Sequence, residues 1–191
     1  VGVFELHRPR TKGGVIARDK KLEVDGLRVG DTVVYAAHGI GRIVRRQRKQ
    51  VAGAERDCVV VDLVASGLRV TLPLDEAVGR LRNVADEGEL EDVRKTLIAE
   101  SGAREGSWSI RMKASRAKLA GGRPTELAEL VRDGSRFEQL RGSQLTHAER
   151  RVYVQARELL AREISSARRV EPDEAEAWIE EQIALPGSRE G

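Results

Sequence analysis

Between Leu27 and Leu74 the chain alternates apolar and polar positions in short runs rich in valine and isoleucine. The stretch DTVVYAAHGIGRIVRRQRKQVAGAERDCVVVDLVASGLRVTLP holds four β-branched runs, near residues 31 to 36, 40 to 50, 57 to 64 and 68 to 72. HG, AGAE and ASG turns separate them. Connections this short predict an antiparallel meander that can curl into a small barrel. The second run is long and charged, with Arg45, Arg46, Arg48 and Lys49 crowding its far end. It is therefore expected to lie at least partly at an edge, where basic side chains either guard against aggregation or receive one chosen partner strand.

From Asp75 onward the period becomes helical. Leu90, Val93, Leu97 and Ile98 make one apolar stripe, Trp108, Met112, Ser115 and Leu119 a weaker one, and Leu127, Leu130 and Val131 a third. Thr146 with Glu149 reads as a capping box ahead of a longer stripe through Val152, Ala156, Leu159, Leu160 and Ile164. Pro172 opens a last helix with Ala175, Trp178, Ile179 and Ile183 on one face. The pattern predicts an α+β protein: a small antiparallel β-barrel over residues 27–76, followed by an all-α bundle of about five helices over 77–184. Residues 1–26 show no sustained period and are expected to form a flexible basic extension, with a short strand near Val3 to Leu6. Residues 185–191 are expected to be a disordered tail.

Composition narrows the class. Of 191 residues 40% are hydrophobic and 34% charged, but only 3% are aromatic, so the cores must be built from Val, Leu, Ile and Ala. No apolar run approaches the roughly 20 residues of a membrane span, and the first residues resemble neither a signal peptide nor a lipidation site. A cytoplasmic protein is expected. The net charge of +3 conceals segregation: residues 1–74 hold 14 Lys and Arg against 8 Asp and Glu, and residues 101–170 hold 15 against 8. Acidic blocks at 75–100 and 171–183 offset them. Basic blocks of this length point to an anionic partner, with nucleic acid first, against the alternative of a solvated helix surface.

Candidate chemistry is sparse. Cys58 is the only cysteine, so an intramolecular disulfide is impossible and a buried apolar role is expected. The three histidines, His7, His38 and His147, lack metal-ligand spacing. The AHGIGR segment lacks the third glycine and the following helix of a phosphate loop, and a tight turn explains it better. DEGELED at 86–92 reads as a helix start whose acidic groups complement the helix dipole. No P-loop, nucleophile elbow or paired-carboxylate arrangement is present, and no enzyme and no cofactor are expected. Trp178 lies on an apolar stripe and reads as core. Trp108 differs: it follows the hydrophilic GAREGS and heads a helix bearing Arg111, Lys113, Arg116 and Lys118. Local sequence leaves two readings open, a half-buried anchor and an indole that stacks on or wedges into nucleic acid beside a phosphate-binding helix N-terminus.

GDTVVYAAHGIGRIV, the spacing to VAGAE, RVTLPLDEAVGRLR and the later SWSIRMKASRAKLAGG together resemble the CarD family of bacterial transcription regulators, which includes the CdnL-type proteins. The resemblance covers about Leu27 to Ile183. It implies a Tudor-like N-terminal module that binds the RNA polymerase β subunit and a helical domain that contacts promoter DNA. It further implies that Trp108 enters the minor groove at the upstream edge of the transcription bubble, with Arg111 and Lys113 on phosphates and Arg116 as a further candidate. On the polymerase side it points to Lys49, and the basic end of the second run adds Arg48. Thr71 stands two residues before the barrel proline, where relatives often carry a basic residue, and Arg69 is the compensating charge. Residues 1–26 have no counterpart in the usual family pattern.

These readings converge on a non-enzymatic, nucleoid-associated monomer that docks on polymerase β and stabilises the open promoter complex. The alternatives are a DNA-binding protein acting without polymerase and a protein-interaction adaptor.

Overall fold

The computed structural model describes residues 5–6, 26–101, 106–139 and 144–184. The chain divides into two compact units, Val1–Val84 and Ala85–Gly191. Apart from Glu5 and Leu6, the expected basic extension up to Asp25 lies outside the described residues, as does the expected tail.

The first unit is a six-stranded antiparallel sheet. Its strands are β1 (Glu5–Leu6), β2 (Thr32–Tyr35), β3 (Gly39–Val51), β4 (Ala54–Leu63), β5 (Leu68–Pro73) and, after the short helix α1 (Leu74–Arg80), β6 (Leu81–Asn83). Neighbours run in the order β1-β5-β4-β3-β2-β6. No pairing among the described residues joins β6 back to β1, so the sheet is open in its hydrogen bonding, whereas the sequence suggested barrel closure. The core forms on one face, where Ile43, Val59, Val61 and Leu63 meet Leu27, Leu72 and Leu81. Gly41 of β3 leaves no room for a side chain against β4: a Cβ there would lie 2.5 Å from Val61 Cγ1.

The sequence-based cut at 76/77 falls inside α1. That helix buries Leu74 and Ala77 in the sheet core, and β6 then pairs with β2, matching Val34 with Arg82. Residues 77–84 accordingly complete the sheet unit. Pairing also places β3 more subtly than expected. Its first half lies between β2 and β4, with Gly30 N and Ile43 N extending the contact to Ile43. Beyond Ile43 its only strand partner among the described residues is β4, so among them the far half, through Val51, is an edge.

The second unit contains α2 (Glu87–Ile98), α3 (Trp108–Gly121), α4 (Pro124–Gln139), α5 (His147–Arg168) and α6 (Pro172–Ala184). Capping boxes start α2 at Asp86 with Glu89, and α5 at Thr146 with Glu149. The stripes read from sequence converge on one core, including Leu90, Val93, Leu127, Val131, Leu160 and Ile179. Trp178 packs against that core with Arg168 4.1 Å above its ring. Among the described residues no helix is long and apolar enough to cross a membrane.

Candidate functional site

A β-bulge shapes the candidate surface of the sheet unit. Arg42 faces Asp62 and Ile43 faces Val61, but the next matched pair is Arg45 with Val60, so Val44 is the extra residue. The bulge shifts the alternation by one position and brings Arg42 and Arg45 to the same face. Downstream, Gln47 opposes Cys58 and Lys49 opposes Arg56 on that face, while Arg46 and Arg48 turn the other way. Arg45, Lys49, Arg69 and Thr71 surround a shallow recess floored by Val60.

The charges around this recess are unequal in availability. Arg69 forms a bidentate pair with Asp62, a residue only 6% exposed. Arg56 is held by Asp75 and Glu76 of α1. Arg48 pairs with Asp57 at 3.1 Å, but both side chains are exposed and such a pair is worth little. Arg45 and Lys49 have no carboxylate partner among the described residues. Of the three positions chosen from sequence, Lys49 is thus the cation left open, Arg48 lines the rim, and Arg69 is neutralised. Arg45 was missed: alternation counted from Ile43 would turn it to the core face, and only the match to β4 reveals the bulge that puts it outside. Cys58 of the neighbouring strand β4 is buried, and desolvation pushes its thiol pKa up.

In the helical unit Ser107 caps α3, accepting from Ile110 N. Trp108 is therefore the first helical residue. Met112 and Leu119, one and three turns onward on the same side, are buried at 4% and 8% exposure, whereas Trp108 remains 45% exposed and lies outside the core cluster. Ile110 is also exposed. Lys113 and Arg116 point outward, on adjoining parts of the helix surface. Arg111 behaves differently: it is half-buried, and its Nη1 donates to Gly106 O at 2.6 Å.

Some of the basic block serves the fold. Arg136 of α4 donates to the carbonyls of Leu97, Ile98 and Ala99, satisfying the open C-terminus of α2. Burial pushes its pKa down. Arg132 adds a bond to Thr96 O. Among the described residues no group of three His, Cys, Asp or Glu side chains is arranged to hold a metal ion.

Comparison with known proteins assigns each unit. Residues 27–85 match the CarD-like/TRCF RID domain, and residues 92–180 match the CarD C-terminal domain. Over 139 residues the chain is 26% identical to the "Putative transcription factor YdeB" of Bacillus subtilis (strain 168), an alignment covering 72% of this chain and 90% of that protein. A sheet module followed by a helical module, each with its own match, defines a two-domain transcription regulator. The chain belongs to the CarD family.

Proposed function

We propose that this CarD-family chain is a non-enzymatic regulator that bridges RNA polymerase and promoter DNA and prolongs the open complex. In this reading the sheet unit is the Tudor-like polymerase module. A strand of the β subunit adds to the free half of β3, and Arg45, Arg48 and Lys49 supply electrostatic complementarity. The helical unit lies on DNA, with Lys113 and Arg116 on phosphates and Arg111 beside them.

Trp108 supplies the mechanism. Its exposure at the head of α3, outside a core that takes Met112 and Leu119, is the observation that carries the proposal. A base step already distorted at the upstream bubble edge offers a gap for an indole. Intact duplex must first be unstacked, at a cost of a few kcal/mol. An indole that binds the distorted state better shifts the equilibrium toward it by that difference, and collapse of the bubble slows.

The test is a pair of measurements on Trp108→Ala: thermal unfolding and open-complex lifetime on a responsive promoter. Near-normal folding with a shortened lifetime is expected, with polymerase binding retained. A stability loss of about 3 to 5 kcal/mol, the cost of deleting a core aromatic, would overturn the wedge.

A further inference from the structure

The helical unit contains a cavity of about 710 Å³ between α3 and α4, closed at one end by the start of α5. This lies within the range of small-molecule sites. Its walls are apolar and aromatic, formed by Met112, Leu130, Phe137, Val152 and Tyr153. The polar groups around them are mostly committed. Lys118 is paired with Glu129 at 2.5 Å, Arg132 with Asp133 at 2.8 Å, and Arg136 with the carbonyls ending α2.

Arg111 is the exception. Its side chain lines the cavity with no carboxylate partner among the described residues, and its Nε is shielded from solvent without a hydrogen bond. An unsatisfied N–H of this kind costs about 1 to 3 kcal/mol. Because Nη1 is engaged by Gly106, the Nε and Nη2 edge remains, and that edge binds carboxylates with two parallel bonds. A modest turn of the side chain aims it into the cavity.

We infer that this cavity binds a small amphipathic carboxylate, its apolar body between Phe137, Tyr153 and Leu130 and its head on Arg111. Occupancy removes Arg111 from the DNA-facing surface, so the ligand and DNA compete. The competition rests on the proposed DNA role of Arg111; the binding site does not.

The probe is octanoate, with octanamide as its uncharged counterpart, titrated into the full chain and followed by backbone amide shifts. Octanoate is expected to shift amides of α3, α4 and the start of α5, and to bind about tenfold more tightly than octanamide, the worth of one charge-assisted contact. Arg111→Met should abolish that preference and Arg111→Lys should restore part of it. Ser115→Phe, which fills the cavity, should block both probes while the melting temperature holds. No saturable binding, or equal binding of the two probes, overturns the inference. DNA affinity is then measured with and without saturating octanoate. A several-fold weakening in wild type but not in Arg111→Met supports the competition. Octanoate binding with DNA affinity unchanged overturns the competition and the DNA role of Arg111, but leaves the cavity assignment standing.

Discussion

Arg69 on β5 donates to both carboxylate oxygens of Asp62 on β4, from Nε at 2.5 Å and from Nη2 at 2.8 Å. Asp62 is nearly inaccessible, so the pair anchors the middle of the outer sheet face and consumes the charge that sequence comparison assigned to partner binding. Arg69→Ala should therefore act first on stability. Leaving a buried carboxylate alone costs about 3 to 5 kcal/mol in fully buried pairs. With the Arg69 side chain 24% exposed, the low end of that range is expected in urea denaturation. Adding Asp62→Asn should recover much of the loss, because the second change removes the orphaned charge. Polymerase affinity in the folded double variant should fall less than on reversal of Lys49.

Arg48 and Lys49 are adjacent in sequence but face opposite sides of β3. Reversing both to Glu should weaken binding to the β subunit by roughly 1 kcal/mol or more, with most of the effect from Lys49. Stability should change by less than about 1 kcal/mol, since the Arg48–Asp57 pair is exposed. Titration of a purified β fragment against the two single variants separates the contributions. Unchanged affinity in the folded double variant would remove this edge from the interface.

Sequence made the helical unit legible because its signals are local. The acidic helix start at 86–92, the box at Thr146, the proline at 172 and the 3.6-residue stripes each depend on neighbours within one or two turns. The sheet was legible in its strands but less so in its boundaries and faces. β6 is three residues long and is defined by its partner β2, so nothing local announces it. The bulge at Val44 depends on the match to β4, and it decides whether Arg45 and Lys49 share the core face of Ile43 or the outer face of Arg42. Charge counting was the least specific guide. Arg132, Arg136 and Arg157 belong to the basic block, yet their hydrogen bonds go to protein groups.

Gly134, of a residue type that weakens helix interiors, is fixed by packing. It lies inside α4, where a Cβ would come within 2.5 Å of Tyr153 Cδ2 on α5 and 2.9 Å of Cγ. Alanine normally stabilises a helix interior by up to about 1 kcal/mol relative to glycine. Here the ring must move, and overpacking of this kind costs about 1 to 3 kcal/mol. Gly134→Ala is therefore expected to lower stability, as read by denaturant midpoint. An increase would mean that α4 and α5 separate freely at this crossing.

The basic block of the helical unit should divide into two groups when DNA binding is measured against salt. Lys113 and Arg116 are exposed on α3 with no carboxylate partner among the described residues, so a phosphate contact by either displaces counterions. Replacing either with Ala should lower the magnitude of the slope of log affinity against log salt by about one unit, with little dependence on sequence. Arg136 carries the same charge but spends its donors on three carbonyls at the C-terminal end of α2, Leu97, Ile98 and the capping Ala99. Arg136→Ala should leave the slope unchanged while lowering stability by about 1 to 3 kcal/mol through unsatisfied carbonyls. The opposite assignment, a slope that responds to Arg136 but not to Lys113 or Arg116, would move the DNA surface from α3 to α4. Trp108 would then no longer stand beside the phosphates.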